Sequence, residues 1–263
     1  MNRIFKSTPL ESELLRLKNE ERRYMEKRRT EKPSRLNALL EDKVPEKLQE
    51  TLDSAFGTAF SLIFQKGTGV IEKTYNKEKI EEESRDGHRQ ILHRQDRRSM
   101  RNVIGKAGGS GLKNMVLSGA AGIGMGVFGA GLPDIPLFTA MILKSIYEIA
   151  LQYGFSYDTE EEKYFILLLI RGAMAEWDTF VEIDREVDTF IETELLPMYY
   201  SREGQIRSTA AELSKEMLYM KFLQGTMIVG AIGGIYDVIY MKKINEYAEL
   251  KYRRRFYNKM NNI

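Results

Sequence analysis

Cysteine is absent from the 263-residue chain, and histidine occurs only twice. Without a thiol the sequence cannot build a disulfide, a thiolate zinc or iron–sulfur site, or a cysteine nucleophile, and a reducing cytoplasm is its natural location. His88 and His93 lie five residues apart, about 140° round a helix, so they form a poor metal pair and read as solvated side chains. No third histidine exists to build a triad from, and neither a G-x-S-x-G elbow nor a G-x-x-x-x-G-K-[ST] phosphate loop occurs. Sustained apolar/polar alternation, the mark of a half-buried strand, is missing too. These absences predict an all-α chain of about seven or eight helices. They favour a non-enzymatic role with no cofactor, no metal and no nucleic acid as partner.

What is present is helical periodicity. Leu10, Leu14, Leu17 and Met25 recur among dense charge up to about Arg29, before Pro33. Glu11, Glu13 and Arg16 break any apolar run there, so this is no secretory signal peptide. Pro45 opens a second helix whose Leu48, Leu52, Phe56, Phe60 and Ile63 make a wide apolar face. Asn76 to Arg101 reads as an exposed charged helix or linker. Pro133 and Pro136 bracket Asp134 in a turn, with Asp134 as N-cap of a helix from Leu137 to about Tyr153 that Gly154 ends. Thr159 to Glu162 matches a capping box and starts a helix predicted to run to Pro197. Along it Asp178, Glu182 and Glu186 share one face, which reads as solvated surface in the absence of a Glu-x-x-His partner. A further helix runs from about Gln205 to Leu223. The boundaries predicted are a charged helical extension over 1–44, a helical domain over 45–255 and a basic, polar tail over 256–263.

Charge is near balance, 40 Lys and Arg against 38 Asp and Glu, but it is segregated. Residues 3–35 hold 11 bases and six acids, residues 242–259 hold seven and two, and residues 158–203 hold 13 acids and four bases. Either the basic ends pack on the acidic centre and cancel it, or Lys242, Lys243, Arg253, Arg254 and Arg255 stay free to meet anionic lipid or an acidic partner. The aromatic residues mixed with them, Tyr236 to Tyr257, allow an interfacial helix or an ordinary solvated one.

Ten of the 21 glycines fall between Gly105 and Gly131, and four more between Gly225 and Gly234. Glycine inside a helix costs about 0.5–1 kcal/mol against alanine, so close backbone approach must compensate. Small residues spaced four apart, as in Gly122/Gly126 and Gly230/Gly234, predict close helix packing by Gly119, Gly122, Gly126, Gly129, Gly230, Gly233 and Gly234. Gly124-x-Gly126-x-x-Gly129 formally fits a dinucleotide fingerprint, but the prolines that follow leave no room for the helix it must open. Met115 to Pro133 carries no charge over 19 residues, against about 20 for a bilayer span. A buried hairpin or shallow membrane association fits better than true spanning.

Ordered motifs then point to a family. Pro45-Glu-Lys-Leu48, Phe64 to Gly67, Gly131-Leu-Pro-Asp-Ile-Pro136, the I-x-x-I-A-x-x-Y-G run from Ile146 to Gly154, and V-G-A-I-G-G-x-Y-D-x-x-Y-M from Val229 to Met241 together resemble the EcsC family. Asp237 stands where asparagine is expected. The resemblance implies a helical, bacterial protein with a transporter or cell-envelope context, since the namesake gene lies beside the subunits of an ABC transporter. It carries over no catalytic residue. The expected function is that of a peripheral accessory or interaction protein at the inner face of the membrane, meeting an anionic surface or a membrane protein. The alternatives are a small-molecule or lipid-handling enzyme with a pocket at Gly131–Pro136 and Asp134 as its acid, and a purely cytosolic scaffold.

Overall fold

A computed structural model describes residues 7–31, 46–66, 69–105, 134–223 and 235–261. The described chain is all-α, as expected: α1 (Pro9–Thr30), α2 (Glu46–Lys66), α3 (Gly69–Glu72), α4 (Lys77–Arg94), α5 (Asp134–Gln152), α6 (Glu160–Met174), α7 (Trp177–Thr193), α8 (Arg202–Leu223) and α9 (Ile235–Asn261). Residues 97–105 are helical as well.

Local signals set several boundaries. Thr8 caps α1 through a reciprocal capping box with Glu11. Asn76 accepts from the Lys79 N–H to start α4, and Gln95, in the left-handed region, ends it. The stretch read as a charged helix or linker is thus a helix, a one-residue reversal and a second helix. Helix α5 begins at Asp134, so Pro136 sits in the first turn, where a missing N–H breaks no helical bond. Its last 18 residues are long and apolar enough to cross a membrane, but 78% of them are buried inside the fold, the placement of a core helix.

The single helix predicted from Thr159 to Pro197 is two helices. Ala175 and Glu176 are extended and separate α6 from α7. The physical reason comes from a distant residue. Arg28, 4% exposed on α1, donates from Nη1 to the Ala173 carbonyl at 3.1 Å and from Nη2 to the Gly172 carbonyl at 3.3 Å and to that of Ala175. A helix end leaves its last carbonyls without partners, and here a guanidinium fork satisfies them. The same guanidinium lies 4.8 Å over the Phe180 ring, at the start of α7.

Helix α6 is the buried axis, with Phe165 to Ile170 all at 0% exposure. Helices α7, α8 and α9 pack round it, and α5 forms a second centre among α2, α4 and α9. Helix α9 touches both centres as well as α1, and it draws the chain into one core. The aromatics that could have been interfacial are core: Tyr240, Tyr247, Tyr252, Phe256 and Tyr257 are buried. Tyr247 stacks on Tyr24 of α1, and Tyr252 meets Phe165 edge-on.

Candidate functional site

Two features of the described surface and interior bear on function, and both follow from where charge goes. The first is the basic run on α9. Lys251, Arg253, Arg254 and Arg255 cover more than one helical turn, so they fan out toward different neighbours. Lys251 Nζ lies 2.8 Å from Asp184 and 2.7 Å from Asp188 of α7. Arg254 reaches Asp188 at 2.5 Å and Glu21 of α1 at 3.6 Å, while Arg253 pairs with Glu20. Arg255 donates to Glu162 at 2.7 Å and to Glu194 at 2.8 Å, with its guanidinium 4.2 Å over the Phe155 ring.

Glu162 is the capping-box glutamate. Its N–H bonds Thr159 as that motif requires, but its carboxylate turns inward to Arg255 and to the Tyr252 hydroxyl at 2.5 Å. Burial raises its pKa, and Arg255 and Tyr252 pull it back. The basic end thus packs on the acidic centre and cancels it. With Arg253 and Arg255 buried, Arg254 partly covered and Lys243 held 3.3 Å from Glu216, only Lys242 of the five cations faces solvent freely.

The second feature is a cationic corner that periodicity did not single out. Asp96 accepts from the Ser99 N–H at 2.7 Å and caps the helical residues 97–105, so the chain turns sharply between Arg94 and Arg97. Arg97 donates to Ser12 and Arg101 to Glu13 at 3.0 Å, which fixes the corner against α1. Arg94 and Arg98 are exposed and have no ion pair among the described residues. Leu92, 59% exposed near the end of α4, and Leu15, 62% exposed and one turn on from Ser12 in α1, are exposed apolar side chains on the two helices that meet at this corner. Only the local charge count, four arginines between Arg94 and Arg101, signalled this in the sequence.

A polar cluster at the end of α5 completes the picture. Tyr75 and Tyr157 share a 2.8 Å hydrogen bond, and Tyr157 and Lys77 both donate to Glu72, at 2.6 and 3.0 Å. Tyr147 stacks on Tyr157 with ring centres 4.2 Å apart. Burial raises the pKa of all three tyrosines, so their hydroxyls stay protonated and do not serve as bases at neutral pH. Nearby Glu148 is pushed up to about 7 by burial, against the pull of Lys144. An adjoining recess of about 270 Å³ is lined by His88, Gly154 and Asp158 among others. His88 is not solvated as expected: its ring stacks 4.9 Å from Phe256, and burial, helped by Lys259, lowers its pKa.

Gly119, Gly122, Gly126, Gly129, Gly230, Gly233, Gly234 and Pro133 lie outside the described residues, as does the side chain of Asp134. Residues 131–133 of the pocket expected at Gly131–Pro136 lie there with them. Pro136 is in the first turn of α5. Among the described residues no group of three His, Asp or Glu side chains is placed to hold a metal ion.

The fold and these placements accord with one family comparison. The profile of the EcsC protein family matches residues 11–256. The chain belongs to the EcsC protein family. The match begins within α1, whose Arg28 caps α6, and ends at Phe256, the ring on which His88 stacks. No curated protein and no solved structure matches the chain.

Proposed function

We propose that this EcsC family protein is a non-catalytic accessory or interaction protein, held peripherally at the inner face of a bacterial membrane in a transport or envelope process. The carrying observation is the contrast between two sets of arginines. Those of α9 are turned inward onto acids, whereas Arg94 and Arg98 stand exposed with no ion pair among the described residues. Exposed cations suit the anionic surface of a cytoplasmic leaflet.

Flotation of the full chain with phosphatidylcholine vesicles, with and without phosphatidylglycerol, tests this reading. The protein should float with the anionic vesicles alone and lose binding as salt rises. At about 1 kcal/mol per cation, Arg94→Gln with Arg98→Gln should weaken binding by roughly thirtyfold, while Lys242→Gln should have the smaller effect of one cation. Protein that stays at the bottom with anionic vesicles, or that floats equally well after the double substitution, overturns the proposal.

A further inference from the structure

The connection between α7 and α8 carries the largest exposed apolar side chains among the described residues. Leu195 is 70% exposed, Met198 89% and Tyr199 92%. Such side chains on one short loop are unusual on a surface with no partner.

The loop is not slack. Glu194 ends α7 in the left-handed region and is tied to Arg255 at 2.8 Å. The Tyr200 N–H donates to the Pro197 carbonyl at 3.0 Å, closing a turn. The Tyr200 ring then packs edge-on against Tyr164, with its hydroxyl donating to Glu160, and Arg202 donates to the same carboxylate at 2.8 Å. Both ends of the loop are thus pinned while its apolar tip points to solvent. A pre-ordered tip loses little entropy when it binds, and Met and Tyr are residues that interfaces favour.

Charge decides what fits it. Glu192 precedes the tip by three residues, Glu203 follows it by four, and Glu161 adjoins the Glu160 that anchors Tyr200. All three are exposed and have no ion pair among the described residues. Three cations held close to the loop are already engaged, Arg202 and Lys163 by Glu160 and Arg255 by Glu194 and Glu162, while Arg207, one turn on from Glu203, is exposed. An anionic lipid surface would be repelled here.

We propose that the 195–199 tip, flanked in the chain by exposed carboxylates, docks a cationic amphipathic segment of a partner protein. This surface is separate from the cationic corner and does not depend on the membrane reading.

The test uses the full chain and a fluorescent amphipathic helical peptide of leucine and lysine, with a leucine and glutamate peptide of the same pattern and phosphatidylglycerol-containing vesicles as the other arms. The lysine peptide should bind saturably, and Met198→Ser with Tyr199→Ser should weaken it about tenfold. Glu161→Gln with Glu192→Gln should weaken it several-fold and flatten its salt dependence. Thermal unfolding should be unchanged in both variants, because neither pair touches the core. Equal binding of the glutamate peptide, lysine-peptide binding that ignores the tip, or vesicle binding or self-association that the tip substitutions abolish would each overturn the proposal. Loss of vesicle binding on Arg94→Gln with Arg98→Gln alone concerns the corner and leaves the tip intact.

Discussion

Glu148 offers a direct way to read the interior of this fold through pH. It sits on α5, 7% exposed, where burial lifts its pKa from the usual 4.5 to about 7 and Lys144 opposes the shift. The folded state therefore holds this proton more tightly than the unfolded chain does. Stability from the protonated group is complete below pH 4.5 and is lost as pH rises toward 7. At 1.36 kcal/mol per pH unit over that interval the loss is about 3 kcal/mol. Glu148→Gln keeps the shape of the neutral acid and cannot ionise. Urea unfolding followed by circular dichroism should give the variant and the parent similar stability near pH 5, with the variant ahead by about 3 kcal/mol at pH 8. Comparing the pair cancels every other titrating group. A difference that is flat with pH, or a variant weaker than its parent at pH 8, would refute the argument that desolvation governs this site.

Three further substitutions probe how the helices are held. Arg28→Met removes the fork that satisfies three carbonyls at the end of α6, and should cost about 3 kcal/mol in urea unfolding. Arg28→Lys should recover only part of that, because an ammonium cannot span the same acceptors. Gly154 has φ +78°, and a Cβ there would lie 2.5 Å from the His88 ring. Gly154→Ala should therefore cost about 2–3 kcal/mol, from left-handed strain and from the displaced ring, and adding His88→Ala should return only the second part. At Gly172 a Cβ would meet Tyr247 at 2.9 Å and Ile183 at 3.2 Å, so Gly172→Ala should cost about 1–3 kcal/mol and lower the melting temperature.

Much of the architecture was legible because it rests on local rules. The period-3.6 apolar pattern located α1, α2, α5 and α8 to within a few residues, and Thr159 caps α6 as its capping-box match predicts, while Thr8 and Asn76 are caps that the periodicity did not single out. What was not legible depends on long-range partners. Nothing near Ala175 in the sequence announces a helix break, because its stabilising cation is Arg28, 147 residues away. Charge segregation was visible as a count, but the count could not decide between cancellation and a free basic surface. The fold decides it through Glu20 and Glu21, acids that the basic N-terminal stretch itself contributes to α9. The cationic corner was hidden because Asp96, one cap in a run of charge, turns the chain. The exposed loop at 195–199 was hidden in part because Leu195 and Leu196 read as the last turn of a helix ending at Pro197, with nothing local to mark Met198 and Tyr199 as exposed.

The basic end of α9 is an internal structural element. A double-mutant cycle on Arg255 and Glu162 tests it most directly, with Arg255→Met, Glu162→Met and the pair measured by urea unfolding. Arg255→Met leaves the Glu162 carboxylate buried with only the Tyr252 hydroxyl and should cost about 3–5 kcal/mol; Glu162→Met leaves Arg255 its pair with Glu194 and should cost less, and the double should cost less than the sum, a coupling above about 2 kcal/mol. Additivity to within about 0.5 kcal/mol, with Arg255→Met nearly silent, would mean that Arg255 is not held in the interior and return the α9 arginines to the surface.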